Sequence, residues 1–571
     1  MQPITRRGFL AAGAAEAALS QTKAVARKAS PGKRRLLFNW DGSAIHTWGR
    51  TALQGSYGPL TREQFTSLVF TPIENTAVDT VLFSFGSGNV AEFQSNVLEW
   101  PGQADRFEFP KEKAWHGGIP VDPKDQYLNP KALADAGHNP PSIIVEECHK
   151  CGLDAFVSLR INDIHDGQHP RGTLPNPELP SFKRINPDWL VEDLDWWSAL
   201  DFEHPRVRAL KLRVVEEYFD RWDFDGIELD FLRHSLYFRR GTEKENGKFL
   251  TMFLREVRKS LRAKAAKRGR PIELAVRIPE RVEWCREGGF EIDTWIAEDL
   301  ADSLILGQGL TEAPGVKDFR ALAKTRPLPV YASLGCYGNH YRISPDEVIR
   351  GSASNLWRDG ADGIYTSNWY LFGGWRKHML DEIADPAKMR GKDKHYTAVE
   401  GFLSAGRQPG ADFLRYNSAV KAAAVPFEIV PADGDREVFL TVSDDGRSSR
   451  SAPVELWIGF DYSQPGDRIS VKFGETPLEP SDIDTAASWK KVGYEVRPLP
   501  GNGMIGFPPD QAWDMRFDAI RLTVPPQLLR PGRNRIAIRL NKRGPGLEKP
   551  LRVRRIELVC RTAASPPASR A

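Results

Sequence analysis

The chain has 571 residues, of which 41% are apolar and 27% charged, with a formal net charge of +4. That length exceeds one ordinary domain, and the composition is that of a globular protein with a large core. So small a charge excess lacks the concentrated basic field of a nucleic-acid or membrane-surface binder, and neither partner is expected.

Residues 1–26 hold Arg6, Arg7 and Lys23 against Glu16, leaving about +2 for the remainder. Arg6-Arg7 precedes an Ala/Gly-rich run, the pattern of a twin-arginine export signal, and Ala24-Val25-Ala26 offers a small-residue cleavage site. The run is short and interrupted by Glu16, so it is not expected to span a bilayer. No cysteine follows it to carry a lipid. The expectation is a signal peptide over 1–26, periplasmic or secreted localisation and no membrane anchor. Five cysteines do not make a disulfide framework in a chain of this size. Cys148 and Cys151 read as packed residues of one helix.

From residue 34 the chain alternates short apolar runs with amphipathic helical patterns. The runs are Leu36–Trp40, Thr80–Phe85, Ala155–Ile161, Gly226–Phe231, Glu273–Ile278, Ser303–Gly307, Val330–Leu334 and Gly363–Ser367. Helical patterns lie at Ser142–Cys151, Val207–Trp222, Asn246–Lys267, Asp293–Leu300, Val316–Thr325 and Pro345–Asp359. Eight strands with helical crossovers predict an α/β fold, a parallel (β/α)8 TIM barrel over 34–390. The first run ends Asn39-Trp40-Asp41-Gly42-Ser43, which is not the glycine-rich phosphate turn of an open doubly wound sheet. Residues 391–425 read as a connecting region. From 426 to 561 period-two runs separated by turn residues predict an all-β sandwich of jelly-roll, galactose-binding-like type. Residues 562–571 form an Ala/Ser/Pro-rich tail.

The fourth run, Asp225-Gly-Ile-Glu228-Leu-Asp230-Phe231, carries two carboxylates on one strand face, roughly 6.5–7 Å apart. Inward acids are costly unless paired or used. Arg160 on the third strand, with Ser158 and Asn162, and Arg277 on the fifth should flank them. Two guanidinium groups favour ionised carboxylates. Asp230, nearer the C-terminal rim, is then the expected nucleophile or cation stabiliser, and Glu228 the group that holds the arginines. Glycoside hydrolysis also needs a proton donor. Glu280, just past the fifth strand, is the first choice; Glu312, Asp163 and Asp41 are further candidates. Trp40 and Trp369 at the rim could stack on sugar rings, and Asn39, Gln308 and Asn368 could bond hydroxyls. Asp41, Arg160, Asp163 and Arg277 complete the expected substrate-binding set. The segment His165-Asp-Gly-Gln-His169 could instead hold a metal with Asp163, as in a metal-dependent hydrolase or lyase. Gly167 and Pro170 make it a loop, so no metal and no cofactor is expected.

With these residues in place, Asp225-Gly-Ile-Glu-Leu-Asp230-Phe-Leu-Arg233 and Ala361-Asp-Gly-Ile-Tyr-Thr-Ser-Asn368-Trp369 resemble the bacterial glycosyl hydrolase-like 10 barrel proteins. The resemblance covers about residues 34–390 and implies a barrel acting on carbohydrate. The fourth strand is also similar to the family-18 chitinase signature. Its catalytic Glu position is Leu232 here, which removes the donor for substrate-assisted chemistry. Asp230 and Glu280 match the α-amylase layout by position. The expected function is an exported glycoside hydrolase acting on an oligo- or polysaccharide. A non-catalytic carbohydrate-binding barrel is the alternative.

Overall fold

A computed structural model describes residues 34–40, 60–103, 114–116, 119–121, 125–167, 178–192, 194, 196–309, 315–324, 326–335, 344–367, 369, 377–400, 418–445, 454–479, 481–488, 490–492 and 517–562. The expected signal peptide, Asp41, His169, Glu312, Asn368 and the tail beyond 562 lie outside them.

Eight strands close into an all-parallel barrel. They are β1 (Leu36–Trp40), β2 (Thr80–Phe83), β3 (Asp154–Arg160), β4 (Gly226–Asp230), β5 (Glu273–Ile278), β6 (Ser303–Leu306), β7 (Val330–Gly335) and β8 (Gly363–Ser367). Each pairs with its sequence neighbours, and β8 pairs with β1 to close the ring. All eight expected runs are strands, within two residues at each end. Alternation divides their side chains between two cores. Leu37, Leu82, Phe156, Ala275, Ile305, Tyr331 and Tyr365 fill the lumen. Leu36, Phe38, Val81, Val157, Ile227, Leu229, Val276 and Ile364 face outward onto the helices. Each large apolar side chain so buried contributes roughly 1.5–3 kcal/mol.

The helices carry the local signals that make them. Glu243–Arg268, after β4, begins with Glu243 and Glu245 and ends with Lys267, Arg268 and Gly269 at φ +74°. Those charges complement the helix dipole, and the glycine tolerates the left-handed C-cap. Its buried Leu250, Phe253, Leu254, Val257 and Leu261 recur at the helical spacing. The helix Pro205–Arg221, after β3, starts with proline in its first turn and an N-cap bond from the Arg206 amide to His204.

The C-terminal region is a two-sheet sandwich around one shared apolar core. The first sheet includes Lys394–Thr397, Phe427–Ile429, Val454–Asp461, Phe517–Val524 and Leu551–Cys560; the second includes Arg436–Val442, Arg468–Phe473 and Gly532–Lys542. Lys394–Thr397 was expected in the connecting region. Its four residues pair antiparallel with Leu551–Cys560, and only Tyr396 of the four joins the apolar core, so no alternating pattern announced it. The segment packs against the barrel helix Asp346–Arg358. A Cβ on Gly351 would lie 2.3 Å from the His395 carbonyl oxygen, so glycine permits that approach. Cys148 is buried in the helix Pro140–Lys150, but Cys151 caps that helix and is exposed, contrary to expectation. Among the described residues no helix is long and apolar enough to cross a membrane.

Candidate active site

The C-terminal ends of the barrel strands bring Asp230, Arg277 and Glu280 together. In register, Arg160 stands beside Asp230 on one side and Arg277 on the other. The Arg277 guanidinium joins three strands: Nη1 donates to Asp230 Oδ2 at 3.3 Å, Nε to the Gly307 carbonyl at 3.1 Å and Nη2 to Ser367 Oγ at 3.0 Å. Burial works against its charge, but Asp230, Tyr365, Glu228 and Glu280 outweigh it and make the guanidinium harder to deprotonate. The other Asp230 oxygen accepts the Leu232 and Arg233 amides at 2.9 and 3.0 Å. Asp230 is thus fixed by a turn of its own chain and by a cation from the next strand.

Glu280 reaches the same rim from β5. Its side chain lies over Gly307, where a Cβ would come 2.3 Å from Glu280 Cγ, and Gly307 has φ +90°. Only glycine satisfies both conditions. The Gln308 amide donates to Glu280 Oε1 at 2.9 Å, and Gln308 Nε2 donates to the Leu232 carbonyl at 2.9 Å. Asp230 and Glu280 are therefore linked through Leu232 and Gln308, and both border Arg277. Gln308, expected to bond substrate, ties the two carboxylate-bearing segments together.

Glu228 departs from expectation. It is fully buried and accepts the Tyr365 hydroxyl at 2.9 and 3.1 Å, with Ser158 as a further hydrogen-bond partner. Burial, followed by the charge of Asp230, pushes its carboxyl up to about 7. The expected ionised group clamping the arginines is instead a carboxyl at the lumen floor, protonated in mildly acidic solution. The reason is geometric. Arg277 and Arg160 sit one rung nearer the rim, level with Asp230.

A second buried group stands at the β3–β4 side of the mouth. Asp163 Oδ2 accepts Arg160 Nη1 at 2.8 Å, and Oδ1 accepts both the His165 ring Nδ1 at 2.6 Å and the His165 amide at 2.9 Å. Burial opposes ionisation of Asp163, but His165 and Arg160 hold its carboxyl well below the usual range. Asp163 is no proton donor, contrary to the sequence expectation. His234, which sequence reasoning missed, is buried and kept neutral; its Nδ1 accepts the Ile164 amide at 3.3 Å. Asp163, His165 and His234 offer ligand atoms within 4.8 Å of one another. The donor set does not suit a metal. Both Asp163 oxygens are engaged, His165 lies between Asp163 and Arg233, and Arg160 adds another positive charge.

Asn162, expected to face the lumen, instead accepts the Leu200 amide and donates to the Leu200 carbonyl, fastening a loop. Asn39 does face the lumen, where it donates to Ser158 Oγ at 3.3 Å. Trp40 alternates with it and turns outward onto Phe38, with ring centroids 5.6 Å apart. Trp369 is likewise buried in the outer core. Neither ring offers the open face expected for a sugar platform. Beneath the mouth, Lys183 Nζ donates to Asp166 at 2.8 and 3.1 Å, and Lys211 donates to the Gly88 carbonyl and Asn89. These lysines secure loops and do not open on the lumen.

The fold and site define a (β/α)8 barrel with two carboxylates and an arginine bonded to one of them at its C-terminal mouth, joined to a β-sandwich. No protein-family model matches the chain. No curated protein sequence matches it either. Among solved structures it is similar to the alpha-L-fucosidase isoenzyme 2 from Paenibacillus thiaminolyticus, at 13% identity and a TM-score of 0.35, over 67% of this chain and 56% of that one. It is similar to the endo-beta-1,4-mannanase from Thermotoga petrophila at 10% identity and 0.37, over 92% and 97%. A GH36 alpha-galactosidase from Geobacillus stearothermophilus matches at 9% and 0.32, over 86% and 55%. The chain thus spans little more than half the length of the fucosidase and the galactosidase.

Proposed function

We propose that the protein is an exported glycoside hydrolase acting on an oligo- or polysaccharide. The observation that carries this reading is the pair of rim carboxylates, Asp230 and Glu280, set around one guanidinium. Asp230, held by two amides and Arg277, is shaped to present a fixed carboxylate to a sugar ring. Glu280 protonates the glycosidic oxygen as its bond to the anomeric carbon breaks. Asp230 attacks that carbon or stabilises its developing positive charge, and water completes hydrolysis. Arg277 orients Asp230, and Glu228 with Tyr365 forms the floor beneath them. Export rests on Arg6-Arg7 and the run that follows.

The test is a screen of the purified protein against polysaccharides and aryl glycosides, with Asp230→Asn beside it. Turnover should disappear in the variant while its thermal melt stays cooperative. Equal turnover by both proteins would sink the assignment.

A further inference from the structure

Positive charge at the β3–β4 side of the mouth is not balanced among the described residues, and the surplus lies on one residue. Arg160 is compensated by Asp163, and Arg277 by Asp230. Among the described residues Arg233 forms no ion pair. Among those residues its one side-chain hydrogen bond runs from Nη2 to His165 Nε2 at 3.2 Å, and its Nε is buried with no acceptor. A guanidinium has five N–H donors, and desolvating one without an acceptor is costly.

Asp163 cannot serve Arg233, because His165 and Arg160 already occupy its two oxygens. Asp230 cannot easily turn to it either. The Arg233 backbone amide already binds Asp230 Oδ1, which fixes that carboxylate toward the turn and Arg277. The same residue therefore places a backbone donor on Asp230 and a partly exposed guanidinium beside it. The half-buried Trp196 flanks the histidine that Arg233 contacts, with its ring 6.3 Å from His165 and 5.8 Å from His234. A cation with spare planar donors beside an aromatic ring matches a carboxylate or sulfate carried on a sugar.

We propose that Arg233, with His165 and Trp196 beside it, forms a subsite for an anionic substituent, so that the substrate is an acidic glycan. This rests on the reading of Asp230 as a catalytic group only for where the glycan lies; binding itself needs no turnover. The substituent is a uronate carboxylate or a sulfate ester on the sugar held next to Asp230.

The experiment uses the full-length Asp230→Asn protein on an array of matched neutral, uronate-bearing and sulfated oligosaccharides, followed by calorimetry on the hits. Acidic members should bind about ten- to a hundred-fold tighter than their neutral counterparts, the size of one charge-assisted contact. The uronate and sulfate arms identify the substituent. Arg233→Gln should erase the preference, and Arg233→Lys should keep part of it. Rising sodium chloride should weaken acidic binding in the parent protein, a readout that needs no variant at this position. An array in which no acidic glycan outbinds its neutral counterpart overturns the proposal, as does an acidic preference unchanged in Arg233→Gln. Acidic binding without hydrolysis by the wild type would leave the subsite standing and remove the glycosidase reading.

Discussion

Asp163 in the mouth wall and Glu228 on the lumen floor are both shut away from water, yet their carboxyls move in opposite directions. Asp163 is held well below the usual carboxylate range, whereas Glu228 is pushed up to about 7. Burial raises both. The difference lies in the partners: Asp163 bonds directly to Arg160 and His165, while Glu228 bonds to a phenol and a serine and faces the negative charge of Asp230, which the more distant Arg277 offsets only in part. Burial sets the cost of a charge, and the neighbouring groups decide whether that cost is offset.

Removing the charge of Asp163 is the strongest way to break this contrast. Asp163→Asn removes the buried carboxylate that bonds Arg160 and His165 and should cost about 3–5 kcal/mol in a denaturant melt. A loss no greater than that of an exposed substitution would show that the mouth wall is not held by this pair.

Glu228→Gln sharpens the other half. The folded carboxyl titrates near 7 against a reference of 4.5, so the native state binds more protons between those values. Wild-type stability should therefore fall as pH rises from about 4.5 to about 7, by roughly 3 kcal/mol if the whole shift is expressed. The glutamine variant has no such proton to lose, so its melting curves at pH 5 and pH 8 should lie closer together. Parallel pH profiles for the two proteins would contradict the assignment.

Gly307→Ala is the mildest perturbation. A Cβ 2.3 Å from Glu280 Cγ, at φ +90°, should cost about 1–3 kcal/mol and push the Glu280 carboxyl from its place. Turnover should fall more than stability does, as read from kcat beside the melting temperature.

Much of the barrel was legible because each strand is a short apolar run between helices of regular spacing. Asp230, Arg277 and Glu280 were legible too, since period-two alternation fixes which side chains point inward and strand ends fix the rim. Alternation also implied that Asn39 and Trp40 face opposite ways, and weighting that implication would have placed Trp40 outside the lumen. Height within the barrel was harder to read. The rung that separates Glu228 from the arginines is a matter of register between strands, which one strand's pattern does not carry. His234 and Arg233 lie in a turn with no periodicity. Their proximity to His165 depends on two loops meeting across 68 residues of chain. Tyr365, the partner of Glu228, is separated from it by 137 residues, and only barrel closure unites them.

The measurement that bears most directly on the central claim is the leaving-group dependence of hydrolysis in Glu280→Gln and Asp230→Asn, on aryl glycosides of the sugar the wild type cleaves. If Glu280 is the proton donor, Glu280→Gln should lose about 10²–10⁴-fold on poor leaving groups and little on dinitrophenyl glycosides, which need no proton. Asp230→Asn should be inactive on both. Equal losses on all leaving groups in Glu280→Gln, or retained turnover in Asp230→Asn, would contradict the account.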